Sequence, residues 1–435
     1  MSLLLCFALS AHATSAASPV PPQDWQLRLG AAIERAVEQN RDLASMESRI
    51  EAARQRVPQA TALANPELEV GLKDAPVAHP SLTRNDFTME MVAARQRLPG
   101  FGKLPAEKRA VEAELESARA EHRRGVVEIA ADVADSLFRL AELDRKIAVI
   151  EETRGRLSDA VVSARERYRV GKGAQADVLR ANLERTALED RLASLVANRR
   201  SEAARFNAFQ NLPAATEVAP VEVEVGFEKR VSERAISSAN ELLEQAGNES
   251  PRLDAARSEV RRAEERVEQA RLERRPDWML TGYYARRERF EDLGGISVSF
   301  DLPWAHPRRL EARLSERRAE LEAARADLAA VDNMLRRDVE LAWAELAKNR
   351  ERAALYRDSI LPQAEVNYRA AREAYAVGSI DFLTYVRAAT DLNMYQAEAT
   401  EREMGVGRAL AALQKASGMP LIAGTPAGVL AHAKE

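Results

Sequence analysis

The sequence predicts a mainly α protein with a small membrane β-barrel and a long coiled-coil α-barrel, built by duplicating one unit. Three observations carry this. Tyr168-Arg169-Val170-Gly171 returns as Tyr375-Ala376-Val377-Gly378, 207 positions later, and a repeat of that length marks two copies of one architecture. Two stretches, from Pro105 to Val170 and from Pro307 to Val377, read as rods with few helix breakers, and at 1.5 Å per residue the roughly 66 residues of the first span about 100 Å. Four short segments, two in each copy, switch from helical periodicity to strict alternation of apolar and polar residues.

The repeat register extends beyond the tetrad: Arg180-Ala181 falls on Arg387-Ala388, and Leu212-Pro213 on Met419-Pro420. Upstream, Asn40 through Pro66 corresponds to Asn248 through Pro276. Each unit therefore reads helix, two strands, long helix, turn, return helix. The first helix is expected over Leu29–Leu63, with its counterpart over Pro251–Arg274. Glu67–Leu72 and Phe87–Met91 alternate, as do Trp278–Tyr284 and Ile296–Leu302, so each is expected to be a strand with one wet face. In the first rod, Val126, Ile129, Val133, Leu137, Leu140, Leu143, Ile147, Ile150, Leu157, Val161, Ala164 and Tyr168 step by threes and fours, the spacing of a coiled-coil seam. Pro307 stands where a helix accepts proline, in its first turn. Gly171-Lys172-Gly173 and Gly378-Ser379 reverse the chain, and return helices run over Gln175–Asn211 and Asp381–Ser417. The expected domains are a leader at 1–17, a first repeat at 29–213, a connector at 214–247 with Val221, Val223 and Val225 in alternation, a second repeat at 248–420 and a mobile tail at 421–435.

Composition narrows the class. Of 435 residues, 46% are hydrophobic and 30% charged, which suits extended helices and excludes intrinsic disorder. The net charge of -4, from 64 basic and 68 acidic residues, provides no field for nucleic acid. Met1–Ala17 has an apolar run and the small-residue site Ala11-His12-Ala13 of a signal peptide, without a basic start, so the true N-terminus is expected upstream. Cys6 is the single cysteine and leaves with the leader, so a mature chain without thiols suits an oxidising compartment. Leu4-Leu5 before it is unlike a lipoprotein box, so no acyl anchor is expected. Beyond the leader no apolar run is long enough to cross a bilayer as a helix. Entry into a membrane must then be as a β-barrel.

Four strands cannot close a barrel in lipid, because each open edge would leave backbone donors and acceptors unpaired. Several chains must share one barrel, and the rods need neighbours on both sides for the same reason. A shared barrel continuous with a shared helical cylinder is a conduit. The other reading of long helices, a soluble coiled-coil scaffold of the periplasm, does not require alternating strands at matched places in both copies. No Gly-rich phosphate loop, nucleophile constellation or His/Glu metal cluster is present, so no catalytic residue, metal or cofactor is expected. His79, His122 and His306 stand on different elements, and Met89 and Met91, two apart on one strand face, are expected to contact lipid.

With these features the chain resembles the TolC-like outer-membrane efflux channels over Leu29–Pro420. The resemblance rests on the duplicated order, on Asn65-Pro66 leading into a strand, on the paired Tyr-x-Val-Gly turns, on Arg97-Leu98-Pro99-Gly100-Phe101-Gly102-Lys103, and on Leu302-Pro303-Trp304 at the matching place. It implies a homotrimer whose twelve strands form one barrel in outer-membrane lipid, with a helical tunnel below reaching into the periplasm. It also implies docking, through a periplasmic adaptor, to an inner-membrane resistance-nodulation-division transporter. The Arg97–Lys103 phrase is most similar to the heavy-metal cation-efflux branch. The adaptor-docking tip is expected at Val170, Gly171, Lys172, Gly173, Val377, Gly378 and Ser379. Asp177 matches an acidic position common in the family, with Arg180 three residues on, and Thr384 and Arg387 hold the same places in the second repeat. These four are the candidate gate, with Asp177 available to pair with Arg180 on one helix face. Acidic residues that narrow the mouth in the family's best-known members are absent from the second repeat.

Overall fold

The computed structural model describes residues 25–78, 87–171, 173–224, 227 and 238–422. The leader, His79, Lys172, Val225 and the stretch 423–435 lie outside the described residues.

The chain begins with α1 (Trp25–Gln39) and α2 (Arg41–Thr61). Sequence periodicity predicts one helix here, and the structure breaks it at Asn40. That side chain accepts the amides of Asp42 and Leu43, capping α2, and donates to Phe209 O at 3.2 Å. Asparagine competes with the backbone in this way and so favours a cap over a helix interior. Strands β1 (Glu67–Lys73) and β2 (Met89–Leu98) follow, then α3 (Lys103–Arg169), which runs 67 residues without interruption. The return helix α4 spans Gln175–Phe209.

In the second copy α5 (Ala239–Glu249) is the counterpart of α1, inside the stretch read as connector; α6 (Pro251–Leu272), β3 (Trp278–Arg286) and β4 (Leu293–Phe300) follow. The second rod is α7 (Pro307–Leu355) and α8 (Leu361–Val377), joined by a π-helical turn at Tyr356–Ile360, and α9 (Phe382–Ser417) returns. Leu361 N–H reaches back five residues to Tyr356 O. Pro362 supplies the cause, since it has no N–H to give the preceding turn. The repeat register records the same event. The buried pairs Val133/Val339 and Leu140/Leu346 stand 206 apart, whereas Leu157/Ala364 and Ala164/Ala371 stand 207 apart. One extra residue is absorbed in the wider turn, a common origin of a π-bulge inside an α-helix.

The seam reading holds for Val126, Val133, Leu137, Leu140, Ile150, Leu157, Val161 and Ala164, all buried, while Tyr168 is exposed. Its polar member was not expected: Thr153 is fully buried and accepts from Asn393 Nδ2 at 2.9 Å, fixing α9 against α3.

The main core sits about halfway along α3. Phe138 stacks on Phe227 at 5.3 Å and Trp25 lies 5.9 Å away. Around them gather Leu242 of α5, Leu335 and Leu346 of α7, and Leu410 and Leu413 of α9. The connector is strapped across this level: Asp144 accepts Val221 N–H at 2.9 Å, and Arg28 donates to Pro220 O at 2.7 Å. Leu421 and Ile422 are fully buried in the same core, with both amides donating to Gln414 Oε1. Ordered packing therefore extends two residues into the stretch expected to be a mobile tail.

Across the upper level the helices neighbour one another in the order α2, α3, α6, α7; across the lower level the order is α4, α3, α9, then α7 and α8. The first and last helices of each layer pack on one side only. The protomer is a layer of helices with two open flanks.

Candidate functional site

The barrel segment and the far end of the rods are the two places where this fold meets its surroundings. The strands form one antiparallel sheet in the order β1-β2-β3-β4, leaving the outer edges of β1 and β4 without a partner strand. Pairing of Val70 with Val92, Val92 with Tyr284, Leu280 with Val298 and Trp278 with Phe300 assigns the two faces. One face carries Leu68, Val70, Leu72, Val92, Leu280, Ile296, Val298 and Phe300, all exposed, with Ile296 at 81%. The other carries Glu67, Glu69, Lys73, Arg95, Arg97, Thr281, Ser297 and Ser299, and Arg95 bridges Glu69 across the strands. An exposed apolar face backed by a charged one is the wall of a water-filled pore in lipid. Met89 and Met91 fall on the charged face, opposite Lys73 and Gly71. The expected lipid contact is corrected by this register: their alternation partners are Arg95 and Arg97, which cannot sit in hydrocarbon.

At the barrel–tunnel junction, Asp277 accepts from Gly100 N–H at 2.8 Å and from Lys103 Nζ at 2.6 Å, and Arg275 donates to Phe101 O at 2.5 Å. Burial works to raise the Asp277 carboxyl, but hydrogen bonds from Lys103 and Gly100 outweigh it and hold the group below the usual carboxylate range.

At the opposite end, Gly171 and Gly378 have φ of 72° and 80°, the left-handed conformation that ends a helix. Ser379 N–H and Oγ–H both donate to Ala374 O at 2.9 Å. Val170 and Val377 are exposed, the latter at 82%. Gly173 is packed close, with a Cβ there only 3.1 Å from Arg167 Cβ.

The four candidate gate residues are not brought together. Asp177 accepts Ala174 N–H at 3.3 Å, capping α4, and makes no ion pair with Arg180 among the described residues, contrary to the pairing expected from their spacing. Thr384 N–H is held by Asp381 at 2.8 Å, and hydrogen bonds from Thr384 lower the Asp381 carboxyl. Arg180 and Arg387 are exposed on α4 and α9.

Sequence reasoning passed over a residue that joins the two hairpins close to their turns. Arg167, on α3, donates to Tyr375 O at 2.6 Å and lies 4.8 Å over the Tyr375 ring. Its guanidinium fills the space beside Gly378, where a Cβ would be 3.0 Å from Nη2. Tyr375 stacks on Tyr385 at 5.2 Å with rings 4° from parallel, and Phe382 meets Tyr375 edge-on at 5.6 Å. Burial raises the Tyr385 hydroxyl, and its bond with Tyr368 adds to this. The signal available in sequence was the asymmetry of the repeat: Tyr168 and Tyr375 match, yet aromatic Phe382 and Tyr385 follow only the second.

Among the described residues no group of three or more His, Cys, Asp or Glu side chains could hold a metal, and no helix is long and apolar enough to cross a membrane. His122 stands 3.7 Å from Glu47.

A sheet with one lipid-facing side, open edges and long rods forming a helical wall with open flanks defines a subunit of an outer-membrane channel. The family model for outer membrane efflux protein matches residues 32–212 and 242–419, and the chain belongs to that family. Among solved structures it is similar to the outer-membrane channel OprN, with 18% identity over 92% of this chain and 91% of that one and a TM-score of 0.77. It is likewise similar to the outer membrane protein VceC from Vibrio cholerae, with 19% identity, coverage of 91% and 98%, and a TM-score of 0.76. CusC, described by its conformational changes on folding and transmembrane channel formation, gives 16%, 94% and 99%, and 0.76. No curated protein matches the chain. Family membership makes it an outer-membrane efflux channel with a long periplasmic helical portion, and nothing supports the soluble scaffold. The second family match begins at residue 242, inside α5, in accord with α5 opening the second repeat.

Proposed function

We propose that three copies close into a twelve-strand barrel above a helical tunnel, and that this trimer is the exit duct of a tripartite efflux pump. The observation that carries this reading is the combination of unpaired outer edges on β1 and β4 with open flanks at α2 and α4 on one side and α7 and α8 on the other. Edge joins edge and flank joins flank when copies are arranged in a ring, which satisfies every exposed strand in lipid. The turns at 170–173 and 377–379, where Val170 and Val377 are exposed, dock a periplasmic adaptor, and the adaptor couples the duct to an inner-membrane resistance-nodulation-division transporter. Arg167 ties the α3–α4 hairpin to the α8–α9 hairpin at that end through Tyr375, while the Tyr375–Tyr385 stack holds the second hairpin closed, and together they set the width of the tunnel mouth. Arg180 and Arg387, without ion pairs among the described residues, contribute positive charge near it. Heavy-metal cations are the first cargo class to test, on the likeness of the Arg97–Lys103 junction.

Native mass measurement of the particle extracted from outer membranes tests the assembly. A three-chain mass is expected, and a stable single chain refutes the ring. Susceptibility of a deletion strain to copper, silver, zinc and cobalt salts, against a panel of organic antibiotics, tests the cargo.

A further inference from the structure

We propose that the junction between strands and tunnel binds the phosphate headgroup of anionic phospholipid in the leaflet facing the tunnel. The inference rests on the outer-membrane placement established above and concerns a contact that conduction itself does not require.

The lipid-facing side of the sheet ends on the ring pair Trp278 and Phe300, 5.4 Å apart. Three exposed apolar side chains extend it past the ends of the strands: Phe101 at 80%, Trp304 at 56% and Leu302 at 52%. Aromatic side chains standing free at the end of an apolar wall mark the boundary between hydrocarbon and headgroups.

The charges just below that boundary are unevenly matched. Of the acidic groups, Asp277 is occupied by Lys103 and Gly100 N–H, and Glu273 by Arg313 at 3.2 Å. Asp301, next after Phe300, falls by alternation on the pore side. Arg275 is used by Phe101 O. Arg274, Arg308 and Arg309 remain without an ion pair among the described residues, whereas arginines along the rods are commonly bridged to carboxylates three or four residues away, as in Arg124–Glu121, Arg317–Glu320 and Arg336–Asp332. Arg308 and Arg309 are exposed at the start of α7, ahead of the buried Leu310. Arg274 also enters a cleft of about 590 Å³ between the end of α6 and the start of α7, where Arg271 and Arg318 join it against Glu311.

The distances suit a headgroup. The polar layer beyond the hydrocarbon is roughly 5–7 Å deep on each side, and arginine stems lie along apolar surface while the guanidinium reaches into that layer. Arg274 precedes Trp278 by four residues and Arg308 follows Trp304 by four. A guanidinium fork pairs with phosphate through two parallel hydrogen bonds. Zwitterionic lipid offers the same phosphate beside its own cation, so an excess of arginine favours the anionic species.

The test uses the full chain reconstituted in bilayers of phosphatidylethanolamine and phosphatidylglycerol, with brominated chains on one lipid at a time. Quenching of tryptophan fluorescence reports the lipid in contact with Trp278 and Trp304. Wild type should prefer phosphatidylglycerol by about fivefold or more, the share of a single basic group at a membrane surface, and R274Q/R308Q/R309Q should bring the ratio close to one. R274Q and R308Q alone should each lower it. An unchanged ratio in the triple variant overturns the proposal. So does loss of the preference on adding inorganic phosphate equimolar with the anionic lipid, which would make this a site for free anion. Poor assembly of the variant in lipid-free detergent, with lipid preference intact, would assign the arginines to a contact between copies and overturn it too. Absence of quenching by either lipid would instead contradict the membrane placement.

Discussion

Replacing Arg167 with alanine should loosen the tunnel tip while leaving the protein folded. Arg167 makes two contacts between hairpins, the 2.6 Å bond to Tyr375 O and the 4.8 Å stack on the same ring. A hydrogen bond with one charged partner contributes about 1.5–3 kcal/mol, and a cation–π contact at an accessible site about 0.5–1 kcal/mol. Taking the low end because the side chain is only half-buried, the loss is about 2 kcal/mol, or roughly a 30-fold shift in a two-state equilibrium between joined and separated hairpins. Planar-bilayer recording should therefore find R167A with larger or longer-lived conducting states than wild type, and R167K between them, since lysine keeps the charge and loses the planar stack. The remainder of the protein should be unaffected, because Arg167 is far from the core around Phe138. A conductance distribution identical to wild type would refute the assignment of Arg167 as the tie.

Five further outcomes follow from the same geometry. Gly407→Ala should destabilise by about 1–3 kcal/mol through overpacking, because a Cβ there would sit 2.7 Å from the Phe138 ring. Gly155→Ala, where a Cβ meets nothing within 4 Å, should stabilise by about 0.5–1 kcal/mol; thermal unfolding of the pair decides both, and equal effects would contradict the packing. The Asp277 carboxyl is lowered by folding, so its stabilisation is fully present above its unfolded value of about 4 and is lost as pH falls through the folded one. Asp277→Asn should remove about 1 kcal/mol at neutral pH and flatten the acid limb of the stability profile; an acid limb unchanged by the substitution would show that the junction does not depend on this charge. Valine at Gly171 or Gly378 should abolish efflux while membrane insertion persists, and adaptor cross-links forming only away from these turns would remove them from the docking surface. Arg387→Ser should raise the conductance of the isolated channel, and unaltered conductance and selectivity in the Arg180/Arg387 double substitution would take both out of the mouth.

How much of this could be read from the residues varies with the physics involved. Alternation alone located all four strands, since period two is a local property of the backbone. It stopped β2 too early because Arg95 and Arg97 resemble a loop until the pore supplies them with water. The same omission misplaced Met89 and Met91. Their spacing puts them on one face, but only the pairing of β2 with β1 and β3 reveals that this face carries the charges. The π turn was legible in principle, as a repeat offset that changes from 206 to 207 between Leu346 and Ala364, though no single residue announces it apart from Pro362. Asn40 reads as a helix residue by periodicity and acts as a cap because Phe209 O is there to receive its amide. At the tip, the turn glycines were clear from sequence and their φ values agree, whereas the role of Arg167 depends on a partner 208 positions away. Asp177 and Arg180 face the same way on α4, but the unsatisfied amide of Ala174 at the helix start is the nearer partner for the carboxylate.

This chain forms a water-filled passage through the outer membrane, and planar-bilayer recording on protein purified from the outer-membrane fraction is the test. Discrete ion-conducting steps are the predicted result. Recovery of the chain solely as a soluble monomer, or insertion without any conductance in wild type and R167A alike, would contradict it.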